Sequence, residues 1–270
     1  MSIIFDSHCH PQFPQYDADR EEMLARAKNA GVAMVCVGTD LEASKQGIEL
    51  ARTHENIWAT IGLHPNAVSE HFDTPVYQSM LQEPKVVAVG EIGLDYYRTP
   101  EPEKQERQKE VFKQFLDLAI QYDKPVVLHA RDAAKGSTGR VFKDLFEILN
   151  SYFLIHNSKL RGVVHSCTAS LEEVKELLNL GFYFGFNGII TFARQYDEVV
   201  RFAPLDRILI ETDAPYLTPL SRRSSSEGGR TRNEPAYVIE VAKKLAELKN
   251  EPLEKVIEST TENCKKLFKI

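Results

Sequence analysis

The sequence predicts an α/β protein built as a single (β/α)8 TIM barrel over residues 1–270. Three observations lead there. Short apolar runs alternate with helix-period segments from one end of the chain to the other. The runs are nearly continuously apolar, as parallel strands covered by helices on both faces must be. Eight such units in 270 residues suit a closed barrel, which takes about 250 residues, better than an open doubly wound sheet. No glycine-rich fingerprint follows the first strand, so a dinucleotide-binding reading lacks its phosphate loop.

Taken in order, strand 1 covers residues 3–8 and runs straight into the pair His8 and His10. A helix over 18–29 carries Met23, Leu24 and Ala27 on one stripe, and Gly31 stops it. Strand 2 is 33–38, followed by a helix over 41–53. Strand 3 is 57–63 and ends in Gly62-Leu63-His64-Pro65; a short helix near 75–81 leads to strand 4, 86–91. A long helix spans 102–121, strand 5 is 125–129, and a helix covers 138–150. Strand 6 is 162–165, with a helix over 171–179. Strand 7 is 182–186, an irregular or helical stretch reaches 202, and strand 8 is 208–213. Helices over 235–248 and 253–268 close the chain. The serine- and glycine-rich patch 221–229 reads as a loop after strand 8.

Composition bounds the function. A hydrophobic content of 43% supports a full core. No apolar run approaches the roughly 20 residues of a membrane span, and no charged-then-apolar leader is visible. The cysteines Cys9, Cys36, Cys167 and Cys264 are scattered and read as reduced thiols of a cytoplasmic protein. A formal net charge of −6 speaks against adhesion to nucleic acid through a generally basic surface. It leaves room for local phosphate recognition by metals and a few arginines.

The metal-capable residues fall at strand ends. His8 and His10 end strand 1, His64 strand 3, Glu91 strand 4, His129 strand 5, His165 strand 6 and Asp213 strand 8. In a barrel these ends meet at one rim, where active sites form. Side chains two apart on a strand share a face about 6.6 Å apart, so His8 and His10 can reach one ion at about 2.1 Å per bond. A lone histidine or carboxylate at such a position is ordinarily structural, through hydrogen bonds or helix caps; the coincidence of so many at one rim points to metal. His54, His71 and His156 fall elsewhere and read as surface residues. Four histidines and two carboxylates suit two divalent ions, with Mg, Mn and Zn all compatible. A carboxylate on strand 4 is placed to bridge them, and Asp213 to hold a water and take its proton. Cys9 reads as core packing. Cys167 shares parity with His165, yet reads better as a buried thiol.

Together, His8-Cys9-His10, Gly62-Leu63-His64-Pro65, Gly90-Glu91-Ile92-Gly93-Leu94-Asp95-Tyr96-Tyr97, His129-Ala130-Arg131-Asp132-Ala133, Glu211-Thr212-Asp213-Ala214-Pro215-Tyr216-Leu217 and Arg232-Asn233-Glu234-Pro235 resemble the TatD family of metal-dependent deoxyribonucleases. The match covers essentially the whole chain in order. The resemblance implies a TIM-barrel metallohydrolase that cleaves DNA phosphodiesters, often as a 3′-to-5′ exonuclease. It assigns His8, His10 and Asp213 to one metal and His129 and His165 to the other, with Glu91 shared. This chain departs from the family's usual turn after strand 6 with Ser166-Cys167-Thr168-Ala169, and its loop through 221–232 is longer than usual.

His64 and Arg131 are candidate substrate-binding residues. His64 is not needed to complete the two-metal set and is expected to bind a phosphate or a third ion, or to order its loop. Arg131 would clamp a phosphate or pair with Asp132 or Asp95. Tyr96 and Tyr97 offer a base-stacking surface or plain packing. Arg222, Arg223, Arg230 and Arg232 are placed either to meet a phosphate backbone or to sit in a solvated loop. Two rival readings stand beside the DNA nuclease. One is a hydrolase of the same scaffold acting on a small amide, ester or lactone. The other is a non-catalytic binding protein, which the complete ligand set disfavours.

Overall fold

A computed structural model describes residues 3–68, 72–132, 140–156, 160–224 and 231–270. Eight parallel strands follow one another around a single sheet in chain order: β1 (Ile4–Cys9), β2 (Val32–Cys36), β3 (Ile57–Ile61), β4 (Val86–Asp95), β5 (Val126–Arg131), β6 (Gly162–Val164), β7 (Tyr183–Phe186) and β8 (Ile208–Ile210). The helices between and after them are α1 (Arg20–Asn29), α2 (Leu41–Thr53), α3 (Thr74–Met80), α4 (Pro102–Gln121), α5 (Arg140–His156), α6 (Leu171–Asn179), α7 (Asp197–Phe202), α8 (Val238–Lys249) and α9 (Leu253–Phe268). The expected TIM barrel is the observed fold.

Two strand ends differ from expectation by more than two residues. β4 continues to Asp95, because Ile92, Leu94 and their neighbours pair with Leu128, Ala130 and Arg131 of β5. β8 stops at Ile210. Beyond it the chain turns toward β1, and Asp213 adopts the left-handed region at φ 54°, which aspartate tolerates better than most residues. The turn stitches the first and last strands together. Thr212 N–H donates to Asp6 Oδ1 at 2.9 Å, Asp213 N–H to the His8 carbonyl at 2.9 Å, and His10 N–H to the Ala214 carbonyl at 2.8 Å. Barrel closure and the placing of His8, His10 and Asp213 are therefore one set of bonds.

One apolar cluster takes a side chain from every strand, among them Phe5, Val35, Trp58, Val87, Val127, Val163, Tyr183 and Leu209, and fills the barrel interior. The larger cluster joins the strands to the surrounding helices. α6 is fixed by a capping box, with Ser170 and Glu173 bonding reciprocally. No helix among the described residues is long and apolar enough to cross a membrane.

Candidate metal centre

His8 and His10 project from β1 toward each other, their Nε2 atoms 3.2 Å apart. The His10 ring is oriented by its Nδ1–H, which donates to the Val37 carbonyl at 2.9 Å. That leaves Nε2 as the free lone pair. Glu91 Oε2 lies 3.5 Å from His8 Nε2, and Asp213 Oδ1 lies 3.8 Å from His8 Nε2 and 3.5 Å from His10 Nε2. Four ligands at about 2.1 Å around a tetrahedral ion stand about 3.4 Å from one another. The four separations given, from 3.2 to 3.8 Å, bracket that edge, so these donors suit a divalent ion.

The other Glu91 oxygen faces a second group of imidazoles. Oε1 is 2.7 Å from His129 Nδ1, 3.5 Å from His64 Nε2 and 3.6 Å from His165 Nε2. His165 stacks on His8 with ring centroids 3.7 Å apart. Clusters of compatible donors occur on both sides of the carboxylate, His8–His10–Glu91 on one and His64–Glu91–His129 on the other. All the metal ligands expected from the sequence are thus brought to one place.

The sequence reading missed the groups that aim these rings. Glu211 is fully buried and accepts from His165 Nδ1 at 2.9 Å and Ser166 N–H at 2.7 Å. Asp95 Oδ2 lies 3.3 Å from His129 Nε2 and accepts from Asn66 Nδ2 at 3.1 Å. Such outer carboxylates fix the tautomer of a ligating histidine. The available signal for Asp95 was parity, since it shares a strand face with Glu91. His64 is oriented differently. Its Nδ1 accepts from Asn66 N–H at 3.1 Å, so in the neutral ring Nε2 carries the proton and is a donor.

Charges in the metal-free site follow from this packing. Burial opposes an imidazolium at His165, but the Glu211 and Glu91 carboxylates outweigh it and raise the group to about 10. His129 is likewise raised against burial by its bonds to Asp95 and Glu91. Burial dominates at His64 and pushes it down to about 3, so that ring is neutral. For Glu91 and Asp213 burial opposes ionisation, yet the surrounding imidazoles hold both below the ordinary carboxylate range.

The other candidates divide between packing, ion pairs and exposed positions. Tyr96 is buried and its hydroxyl donates to Asp144 at 2.5 Å, so it offers no stacking face. Tyr97 is half exposed, with the Arg131 guanidinium 4.0 Å over its ring; Asp95, a suggested Arg131 partner, bonds His129 instead. Arg222 pairs with Glu240 at 2.7 Å, and Arg232 forks onto Asp19 with two contacts of 2.7 Å. Burial pushes the Cys167 thiol up to about 12, which keeps it protonated and a poor ligand. Lys85, just before the end of β4 opposite Glu91, donates from Nζ to the carbonyls of His54 and Ile57. His71 and Arg230 lie outside the described residues, as does the His156 side chain.

A barrel with an imidazole–carboxylate cluster at its C-terminal rim is the framework of a metallohydrolase. The family model for TatD related DNase matches residues 5–269. The chain is 38% identical to the metal-dependent hydrolase YabD of Bacillus subtilis, over 99% of this chain and 100% of that one. It is 31% identical to the 3′-5′ ssDNA/RNA exonuclease TatD of Salmonella typhimurium, over 99% of each chain. The crystal structure of the TatD homologue YjjV from Escherichia coli superposes with a TM-score of 0.83 at 31% identity, covering 99% of this chain and 98% of that one. This chain belongs to the TatD family and is a metal-dependent hydrolase of the ester-cleaving class.

Proposed function

We propose that the chain hydrolyses DNA phosphodiester bonds from the 3′ end of a strand. In this reading His8, His10 and Asp213 hold one divalent ion, His129 and His165 hold a second, and Glu91 is shared. The observation that carries it is the division of the Glu91 carboxylate, with Oε2 turned to His8 at 3.5 Å and Oε1 to His129 at 2.7 Å. When bound, two such ions would supply an activated water and offset charge on the displaced phosphate. The donor types accept Mg, Mn or Zn.

The chain's own residues do the rest. Asp213, held as a carboxylate, accepts the proton of the attacking water. His64 presents Nε2–H to a phosphate oxygen, because its Nδ1 is already occupied by the Asn66 amide. Arg131 lies at the mouth on the face of Tyr97 and meets the next phosphate along the strand. The exonuclease relative in Salmonella typhimurium supports the direction of attack.

The test is a time course of single-stranded and duplex DNA labelled at either end, in chelator and then with Mg²⁺, Mn²⁺ or Zn²⁺ restored. Metal-dependent shortening from the 3′ end is the expected result. Turnover of small esters, lactones or amides under the same conditions, with no nucleotide released, would assign the site to a small-substrate hydrolase.

A further inference from the structure

Two grooves of similar size open among the loops that leave the strand ends, and they differ in charge. One, of about 470 Å³, lies between the loops after β5, β6 and β7. It is lined by the carboxylates of Asp132, Glu172, Glu173 and Glu198, with no arginine or lysine among its described lining residues. The other, of about 580 Å³, lies between the loops after β1, β7 and β8, and its charged lining residues are Arg223 and Arg232. Arg232 is neutralised by its fork onto Asp19. Arg223 has no carboxylate partner among the described residues; its guanidinium lies 3.9 Å over the Phe192 ring, and its Nε–H donates to the Thr218 carbonyl at 2.9 Å.

Aromatic rings connect this second groove to the metal centre. Phe13 stacks on His10 with centroids 4.4 Å apart and planes 9° from parallel, and meets Tyr216 edge-on at 6.4 Å. Tyr216 lines the groove, is 48% exposed, and donates its N–H to the Asp213 carbonyl at 2.8 Å. The walls are fixed by close backbone contact. A Cβ at Gly188 would sit 2.0 Å from the Leu217 carbonyl oxygen. Leu220 N–H donates to Thr191 Oγ1 at 2.9 Å, and Asn233 Nδ2 donates to the Tyr216 carbonyl at 2.6 Å.

The geometry points to this groove as the seat of the nucleobase next to the scissile phosphate of a single-stranded DNA substrate, an inference that rests on the nuclease reading above. A flat ring flanked by an anion is the ligand that an exposed tyrosine, a phenylalanine and an arginine plane recognise together, by stacking and by charge. The Glu172 and Glu198 carboxylates of the first groove repel the same polyanion. The strand therefore crosses the rim on the β7–β8–β1 side.

The test measures binding, not turnover. Fluorescence anisotropy would follow 5′-labelled single-stranded oligonucleotides with cleavage-resistant phosphorothioate linkages, natural or abasic at each of the last three 3′ positions, on the Mn²⁺-loaded protein. One abasic position is expected to weaken wild-type binding at least ~5-fold. Phe192→Leu and Tyr216→Ala should show the same loss, with no further cost from the abasic residue. Arg223→Met should reduce the salt slope by about 0.7, while Glu172→Gln with Glu198→Gln leaves it unchanged. Equal affinity for natural and abasic strands in the wild-type protein overturns the groove and leaves the nuclease reading standing. Failure of the wild-type protein to bind or cut any natural strand overturns both. The abasic comparison needs no substitution, so a variant that melts early does not decide the outcome.

Discussion

Glu211 accepts the Nδ1 proton of His165 at 2.9 Å and so turns the opposite ring nitrogen toward Glu91, 3.6 Å away. The ring is held from behind by a buried carboxylate before any ion arrives. Glu211→Gln should therefore weaken metal binding by about 10- to 100-fold while the barrel still melts cooperatively. Competition with a coloured chelator reads this directly; unchanged metal affinity would reduce Glu211 to a packing residue.

His64 separates the two uses of an imidazole at this rim. With Nδ1 accepting the Asn66 amide, Nε2 is a donor and not a lone pair. His64→Ala is expected to lower turnover about 10- to 100-fold, the range of a lost charge-stabilising donor or less, with metal content unchanged. Elemental analysis of the variant showing a lost ion would return His64 to the ligand set.

Proton release should accompany metal uptake. In the metal-free chain His165 is raised from 6.5 to about 10. A raised folded-state value stabilises the fold fully below pH 6.5, and that contribution is lost as pH rises through about 10. A metal needs the neutral ring, so uptake near pH 8 displaces a proton, and affinity should climb across the same window. Calorimetry in two buffers of different ionisation enthalpy measures the released protons; a heat independent of buffer would contradict the protonated ring.

Arg232 is a brace. Its fork onto Asp19 and its position 4.5 Å over the Tyr16 ring tie the β8 loop to the segment before α1. Arg232→Ala should cost about 0.5–1 kcal/mol after screening by solvent, seen as a lower Tm. The salt dependence of oligonucleotide binding should be unchanged, in contrast to Arg223→Met.

The barrel was legible because the strands are apolar runs and the longer helices carry an apolar stripe. α2, α4, α6 and α9 fall on their expected ranges. The sequence makes β8 too long, because Glu211 to Asp213 continue a strand-like pattern, whereas the N–H groups of Thr212 and Asp213 turn across to Asp6 and His8 of β1. Residues of the candidate centre were legible by type, since histidines and acids at strand ends are chemically conspicuous. Their supports were not. Asp95 and Glu211 are common acids whose roles depend on which ring nitrogen they face, and that is a matter of side-chain direction. The arginines after β8 stayed open between two readings for the same reason: sequence shows the charge but not the partner, and Asp19 and Glu240 already hold two of them.

The central claim is that Glu91 is shared by two ions. Metal content per chain, measured after equilibration with Mn²⁺ and removal of excess, tests it in the wild-type protein and in Glu91→Ala. Two ions per chain in the wild type, falling to one or none in the variant together with loss of activity, is the predicted result. Two ions retained by Glu91→Ala, or a single ion in a fully active wild-type protein, would contradict the bridge.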